Sequence, residues 1–223
     1  MSEMKSLAKD TAIYGLSSII GKFLNYLLVP LYTYALARTS EYGIVTNIYA
    51  WTALLLVLLT YGMETGFFRF ANRDEFDALT VYKTSYFTLF ISSALFTLLV
   101  IIFHQPIANV LGYPDHAEFV EMMFATVAID AFASIPFAYL RYQKRPLLFA
   151  ALKLLFVLLN IAFNILFLIV LGKNDVFYVF LSNILATTIQ TLCLLPFTLP
   201  RGGRFDVAVL REMLHYSLPL LVL

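Results

Sequence analysis

The sequence predicts an all-α polytopic membrane protein with six complete helical spans and the start of a seventh. Three observations carry that prediction. Of 223 residues, 61% are hydrophobic and 13% charged, against about 45–50% and 25% in soluble domains. The apolar residues fall in long runs, each near the roughly 20 residues that a helical span needs. Lysines and arginines gather at alternate junctions between those runs. The composition excludes a disordered chain and a disulfide scaffold. Fifteen basic residues nearly cancel fourteen acidic ones, which excludes a nucleic-acid binder that relies on bulk charge, so no nucleic-acid partner is expected.

The apolar runs lie at 12–36, 44–66, 82–103, 119–140, 147–171 and 176–199. Irregular backbone cannot face lipid, so each run is read as a helix. Barrel-like alternation is absent. The first run is too long for a signal peptide and is interrupted by Lys22, so it is kept as a span. Residues 200–215 form a polar linker opening on Pro200-Arg201-Gly202-Gly203-Arg204. Within it Val207, Leu210, Arg211 and Leu214 predict a short amphipathic helix at the membrane face. Tyr216-Ser217-Leu218-Pro219 begins another apolar run that stops at Leu223. The expected organisation is a six-helix lobe over 1–199, a linker over 200–215 and a truncated seventh helix over 216–223, the first half of a longer transporter.

Orientation follows from the basic residues. With a cytoplasmic N-terminus, the inner segments hold Lys5, Lys9, Arg69, Arg73, Lys83, Arg141, Lys144, Arg145, Arg201, Arg204 and Arg211, and the outer ones only Arg38 and Lys173. Eleven against two predicts both ends of the six-helix lobe in the cytoplasm.

Polar residues inside the spans are the candidate functional residues. Lys22 lies about eleven residues, or ~16 Å at 1.5 Å per residue, into the first span, where a lysine costs about 2.5–3.5 kcal/mol on insertion scales. Tyr14, Ser18, Lys22 and Asn25 share one helical face. Lys22 reads either as a cation for an anionic substrate or as a structural lysine paired with a carboxylate. Asp130, at similar depth in the fourth span, is its expected partner, or else a proton or cation site. Glu64 lies in Gly62-Met63-Glu64-Thr65-Gly66, whose spaced glycines let another helix approach closely. It reads as a coupling carboxylate or as an acidic cap on a packing motif. Lys153, Asn160 and Asn164 form a stripe on the fifth span, and Asn183, Thr187, Gln190 and Thr191 one on the sixth. Both fit helix–helix hydrogen bonding or the wall of a hydrated cavity. Arg141, Lys144 and Arg145 form the densest basic cluster, suited to a diphosphate or to topological anchoring. Cys193 stands alone, and His104, His116 and His215 fall in separate junctions, so no metal site or cofactor is expected.

Several segments together resemble one family. Leu36-Ala37-Arg38 with Glu41-Tyr42-Gly43-Ile44 resembles the first periplasmic turn of bacterial polysaccharide-biosynthesis flippases. Gly62-Met63-Glu64-Thr65-Gly66-Phe67-Phe68-Arg69-Phe70 is similar to their motif closing the second helix. Leu140-Arg141-Tyr142-Gln143-Lys144-Arg145 is similar to their basic turn after the fourth helix, and Leu214-His215-Tyr216-Ser217-Leu218-Pro219 to the opening of their seventh. The group is the O-antigen and exopolysaccharide branch of the multidrug/oligosaccharidyl-lipid/polysaccharide exporter (MOP) superfamily. The resemblance implies a MATE-like six-helix lobe facing a second such lobe, in the bacterial inner membrane. It implies alternating-access movement of undecaprenyl-diphosphate-linked oligosaccharide, with no covalent chemistry. The implied substrate-binding residues are Lys22, Asn25, Ser18, Asn160, Arg141 and Arg145, with Asp130 and Glu64 as coupling carboxylates or structural ion-pair partners. The implied partners are the lipid-linked oligosaccharide, membrane lipids, a C-terminal lobe and polysaccharide assembly proteins.

Three other functions compete. A cation-coupled drug exporter of the same superfamily would use Asp130 and Glu64. A membrane glycosyltransferase would need a catalytic cluster in a sizeable outer loop, where only Asp115, His116 and Glu118 gather. A non-transporting scaffold would fit a chain ending naturally at Leu223.

Overall fold

The computed structural model describes residues 12–16, 19–20, 28–36 and 39–221. Lys22, Asn25 and Ser18 lie outside the described residues. The helices are α1 (Leu28–Ala35), α2 (Thr39–Thr60), α3 (Met63–Ala71), α4 (Ala78–Leu111), α5 (Ala117–Tyr142), α6 (Pro146–Asn164), α7 (Val176–Thr198) and α8 (Val207–Ser217). A π-helical segment, Ile165–Val170, extends α6, and a 3-10 turn, Leu218–Leu221, extends α8. Among the described residues there is no strand.

Five stretches are long and apolar enough to cross a membrane: Glu41–Ala71, Ala78–Leu111, Ala117–Tyr142, Pro146–Val170 and Val176–Thr198. They correspond to the second through sixth runs of the sequence. The first run is described at 12–16, 19–20 and 28–36, and all of that but the bend at Leu36 is helical. The span Glu41–Ala71 is broken at Tyr61-Gly62, where both φ angles are positive, at 34° and 67°. That break separates α2 from α3. Glycine accepts such a φ without steric cost.

Local chemistry sets the helix ends. Asp77, Asp175 and Asp206 cap α4, α7 and α8, each accepting backbone N–H bonds from the first turn. The Thr80 hydroxyl, together with the backbone amides of Thr80 and Leu79, holds the exposed Asp77 carboxyl below the usual carboxylate range. Pro146 opens α6, where its missing N–H costs nothing.

Burial distinguishes the helices. Two thirds (67%) of the most apolar window of α5 is buried and half (50%) of that of α7, against 17–22% in the other spans. Accordingly α5 carries Ala128, Ala131, Ala133 and Ala138 as buried residues that let its neighbours approach closely. The outer face of α4 exposes Phe90, Ile91, Leu95, Leu98, Leu99 and Ile102. A continuous apolar face of this size is unsuited to water and suited to lipid. The chain is a multi-pass membrane protein.

Two clusters hold the ends of the bundle. At the end bearing the turns 72–77, 143–145 and 199–206, Met63, Phe67, Tyr82, Ile135 and Met213 pack together. There the Tyr82 and Tyr139 rings stack at 3.8 Å, and Tyr82 donates its hydroxyl to the Thr198 carbonyl. At the opposite end Leu28, Tyr32, Val45, Ile48, Phe119 and Phe180 pack together.

The linker after α7 is tied down. Lys83 donates to the Gly203 carbonyl (3.2 Å), and the Arg204 and Asp206 amides donate to the Thr80 and Thr84 hydroxyls (3.3 and 3.0 Å). The amphipathic helix expected here is present as α8. Its buried residues, Val209, Met213 and Ser217, pack it onto α3 and α4. The expected division near 215 falls inside α8, which runs on to Ser217 and into the 3-10 turn.

Candidate functional site

A cavity of about 500 Å³ opens among α2, α3, α5, α6 and α7. Four charged side chains line it: Glu64 from α3, Asp130 and Arg141 from α5, and Lys153 from α6. Each arrives for a local reason. The Tyr61-Gly62 break redirects the chain so that Glu64 falls in the first turn of α3, where a carboxylate favours the helix dipole. Arg141 lies in the last turn of α5, where a cation is favoured. Asp130 and Ser134 sit one turn apart on the same face of α5. Lys153 lies about one turn beyond Phe149 on α6, on the face that both share with the cavity.

The geometry is that of a balanced charge network. The Arg141 guanidinium donates to Glu64 Oε1 at 2.5 Å and lies 5.3 and 5.7 Å from the Phe68 and Phe149 ring centroids. The Lys153 ammonium sits 3.9 Å from the Phe137 ring centroid, within cation–π range. Asp130 and Lys153 interact electrostatically across the cavity. Among the described residues, the only close ion pair lining this cavity is Glu64–Arg141. Gln190 closes one wall, donating to the Leu152 carbonyl at 2.9 Å. Two cations and two carboxylates leave the site neutral when all four are ionised, which lowers the cost of keeping charges in a membrane-spanning bundle. An anion entering this space meets Arg141 and Lys153 by displacing a carboxylate. A cation meets Glu64 and Asp130.

A second, smaller cavity of about 220 Å³ lies toward the opposite end, lined by Tyr32, Tyr42, Tyr49, Asn160 and Asn183 among others. Asn183 donates to the Tyr49 hydroxyl at 3.0 Å, and Asn164 donates to the Asn160 carbonyl at 2.8 Å. It carries no charged side chain among its described lining residues.

Comparison with known proteins supplies the family. The chain is similar in fold to an outward-facing multidrug-resistance MATE transporter of the MOP superfamily, with a TM-score of 0.72 at 16% identity. It is likewise similar to a MOP-superfamily transporter from Pyrococcus furiosus, with a TM-score of 0.67 at 16% identity. Each match covers 96% of this chain and 52% of the other, so the chain spans about half the length of the transporters it matches. No curated protein matches it by sequence. The family model described as polysaccharide biosynthesis protein matches residues 35–223. The chain belongs to that family. Its fold is that of the transporters it matches.

In this polysaccharide biosynthesis protein the residues singled out from sequence separate into three groups. Glu64, Asp130 and Arg141 meet in the charged cavity. Asn160 lines the smaller uncharged one. Arg145 is the exposed N-cap of α6, at the turn and away from its cluster neighbour Arg141. Lys22, Asn25 and Ser18 are not described. Within the described residues, the charge facing Asp130 is Lys153, which sequence reasoning placed on a polar stripe without pairing it. A signal was present. Residues 143–145 make a short turn, Asp130 precedes Gln143 by 13 residues, and Lys153 follows Arg145 by 8. At 1.5 Å per residue the two differ in depth by about 8 Å, a gap that the long lysine stem partly spans.

Proposed function

We propose that this chain forms one lobe of a flippase that moves undecaprenyl-diphosphate-linked oligosaccharide across the bacterial inner membrane, with its basic end in the cytoplasm. The observation that carries the reading is the placement of Arg141 and Lys153 in one cavity within the spans, each near a carboxylate. The carboxylates keep the cations balanced while the site is empty. The diphosphate then exchanges places with Glu64 or Asp130, and the polyprenyl tail stays in lipid. Arg145 at the turn and Lys22 within the first span extend the cationic path, and Ser18, Asn25 and Asn160 supply hydrogen bonds to sugar hydroxyls. Residues 1–199 act as the lobe, 200–215 as its linker and 216–223 as the opening of the next span. A second lobe of similar size supplies the opposing wall, as alternating access needs. Membrane lipids and polysaccharide assembly proteins are the other partners.

The test is glycan-lipid export by the full-length protein, normalised to membrane abundance. Lys153→Gln and Lys22→Glu are expected to lower export at least tenfold at equal abundance, with Lys153→Arg and Lys22→Arg retaining part. Normal export by Lys153→Gln and Lys22→Glu at equal abundance overturns the headgroup role. A second reading, cation-coupled export, is favoured by Asp130 and Glu64 facing the same space. It predicts that Asp130→Asn abolishes ion-driven export while Lys153→Gln leaves it intact.

A further inference from the structure

A groove of about 1160 Å³ runs between α3 and α8 at the basic end, separate from the charged cavity. Three arginines line it, Arg69 and Arg73 from α3 and its C-terminal turn and Arg211 from α8, against one carboxylate, Glu212. Among the described residues none of these arginines is in an ion pair. Two lie over aromatic rings within cation–π range: the Arg69 guanidinium carbon is 4.0 Å from the Tyr216 centroid, and that of Arg73 5.2 Å from Phe70. With no carboxylate bound to them, these guanidinium groups keep N–H donors for a ligand in the groove, and arginine's donor fork suits phosphate oxygens taken in pairs. His215 also lines it, and an apolar stretch of wall ends at Pro219 and Leu220. The groove therefore offers cations beside a hydrocarbon surface, where the span Glu41–Ala71 ends.

We propose that this groove binds the phosphate headgroup of an anionic phospholipid, which bridges α3 and α8 and clamps the linker helix to the lobe. The three unpaired arginines, opposed by Glu212 alone, are opposite in sign to the headgroup, and the apolar wall takes the first methylenes of the acyl chains. A bare phosphate satisfies only the first of these. The site does not depend on the transport reading, because none of its residues lines the charged cavity.

The experiment uses the full chain purified into nanodiscs of phosphatidylcholine, with phosphatidylglycerol titrated in. Bound lipid is read by native mass spectrometry and unfolding by temperature. Phosphatidylglycerol is expected to bind selectively and raise the unfolding midpoint. Changing Arg69, Arg73 and Arg211 together to Gln is expected to weaken apparent affinity about tenfold or more, while the triple change to Lys, which keeps the charge and loses the paired donors, weakens it less. Arg204→Gln serves as control, since Arg204 is exposed and paired with Asp206 at 3.3 Å. Equal loss in Arg204→Gln, or unchanged binding in the triple Gln variant, overturns the site. Full stabilisation by inorganic phosphate in phosphatidylcholine alone overturns a lipid as the occupant. Should the triple variant fail to fold, Arg211→Gln alone decides: several-fold weaker binding supports the site, and unchanged binding overturns it.

Discussion

Arg141 reaches Glu64 at 2.5 Å while its guanidinium lies over the rings of Phe68 and Phe149. Three elements therefore converge on one side chain. Its own side chain is 31% exposed and that of Glu64 41%, so water screens the pair. Its contribution lies well below the 3–5 kcal/mol of a fully buried pair and nearer that of an exposed one, about 1 kcal/mol. Glu64→Gln and Arg141→Gln should each lower the thermal unfolding midpoint of the protein in detergent. The double variant should recover most of the loss, because no charge is then left without its partner. A double variant that loses the sum of the two single losses shows that the residues do not act as a pair. Each residue was visible in the sequence as an anomaly within or at the end of a span. Their pairing was not, since 77 positions separate them and only the packing of α3 on α5 closes that gap.

At the scale of elements, the Gly62–Gly66 spacing signalled a close helix approach, and the approaching helix is α8. A Cβ at Gly66 would lie 2.5 Å from Ser217 Oγ, and one at Gly62 2.9 Å from the Ser217 carbonyl oxygen. Gly66→Ala should therefore destabilise the protein by about 1–3 kcal/mol through overpacking, measured as a fall in unfolding midpoint. Ser217→Ala should relieve most of that loss, because the next atom, Met213 Cε, would lie 3.6 Å from the new Cβ. Failure of Ser217→Ala to rescue Gly66→Ala would show that the contact does not limit the approach. The spacing of glycines announces that something packs there. It carries no information about which of seven other helices does, because the partner is separated by the whole of α4 through α7.

At the scale of the molecule, the proposed orientation places the turns 72–77, 143–145 and 199–206 in the cytoplasm. In a background with Cys193 replaced, single cysteines at Asp115 and Lys173 should react with an impermeant reagent in intact cells. Cysteines at Arg73 and Lys144 should react only after permeabilisation. The reverse pattern inverts the orientation. At the basic end Lys83, Thr80 and Thr84 tie residues 203–206 of the linker to α4. The central place of α5 follows from its small and buried residues, whereas α4 turns an apolar face outward.

Sequence by itself determined the class, the approximate bounds of the spans and the family resemblance, because all three rest on properties local to the chain. Twenty apolar residues in a row make a span wherever they occur, and Asp77, Asp175 and Asp206 cap helices through bonds to their own first turns. Only the tertiary structure decided which charges share a cavity. It set Lys153 opposite Asp130, joined Arg141 to Glu64 rather than leaving it with Lys144 and Arg145, and divided the polar stripes between helix contacts and two cavities. The physical reason is that lipid-facing and partner-facing sides of a span are nearly alike in composition. With little hydropathy contrast to orient each helix, rotation and neighbour choice are set by packing of small residues and by scarce polar contacts, which exist only once the helices have met.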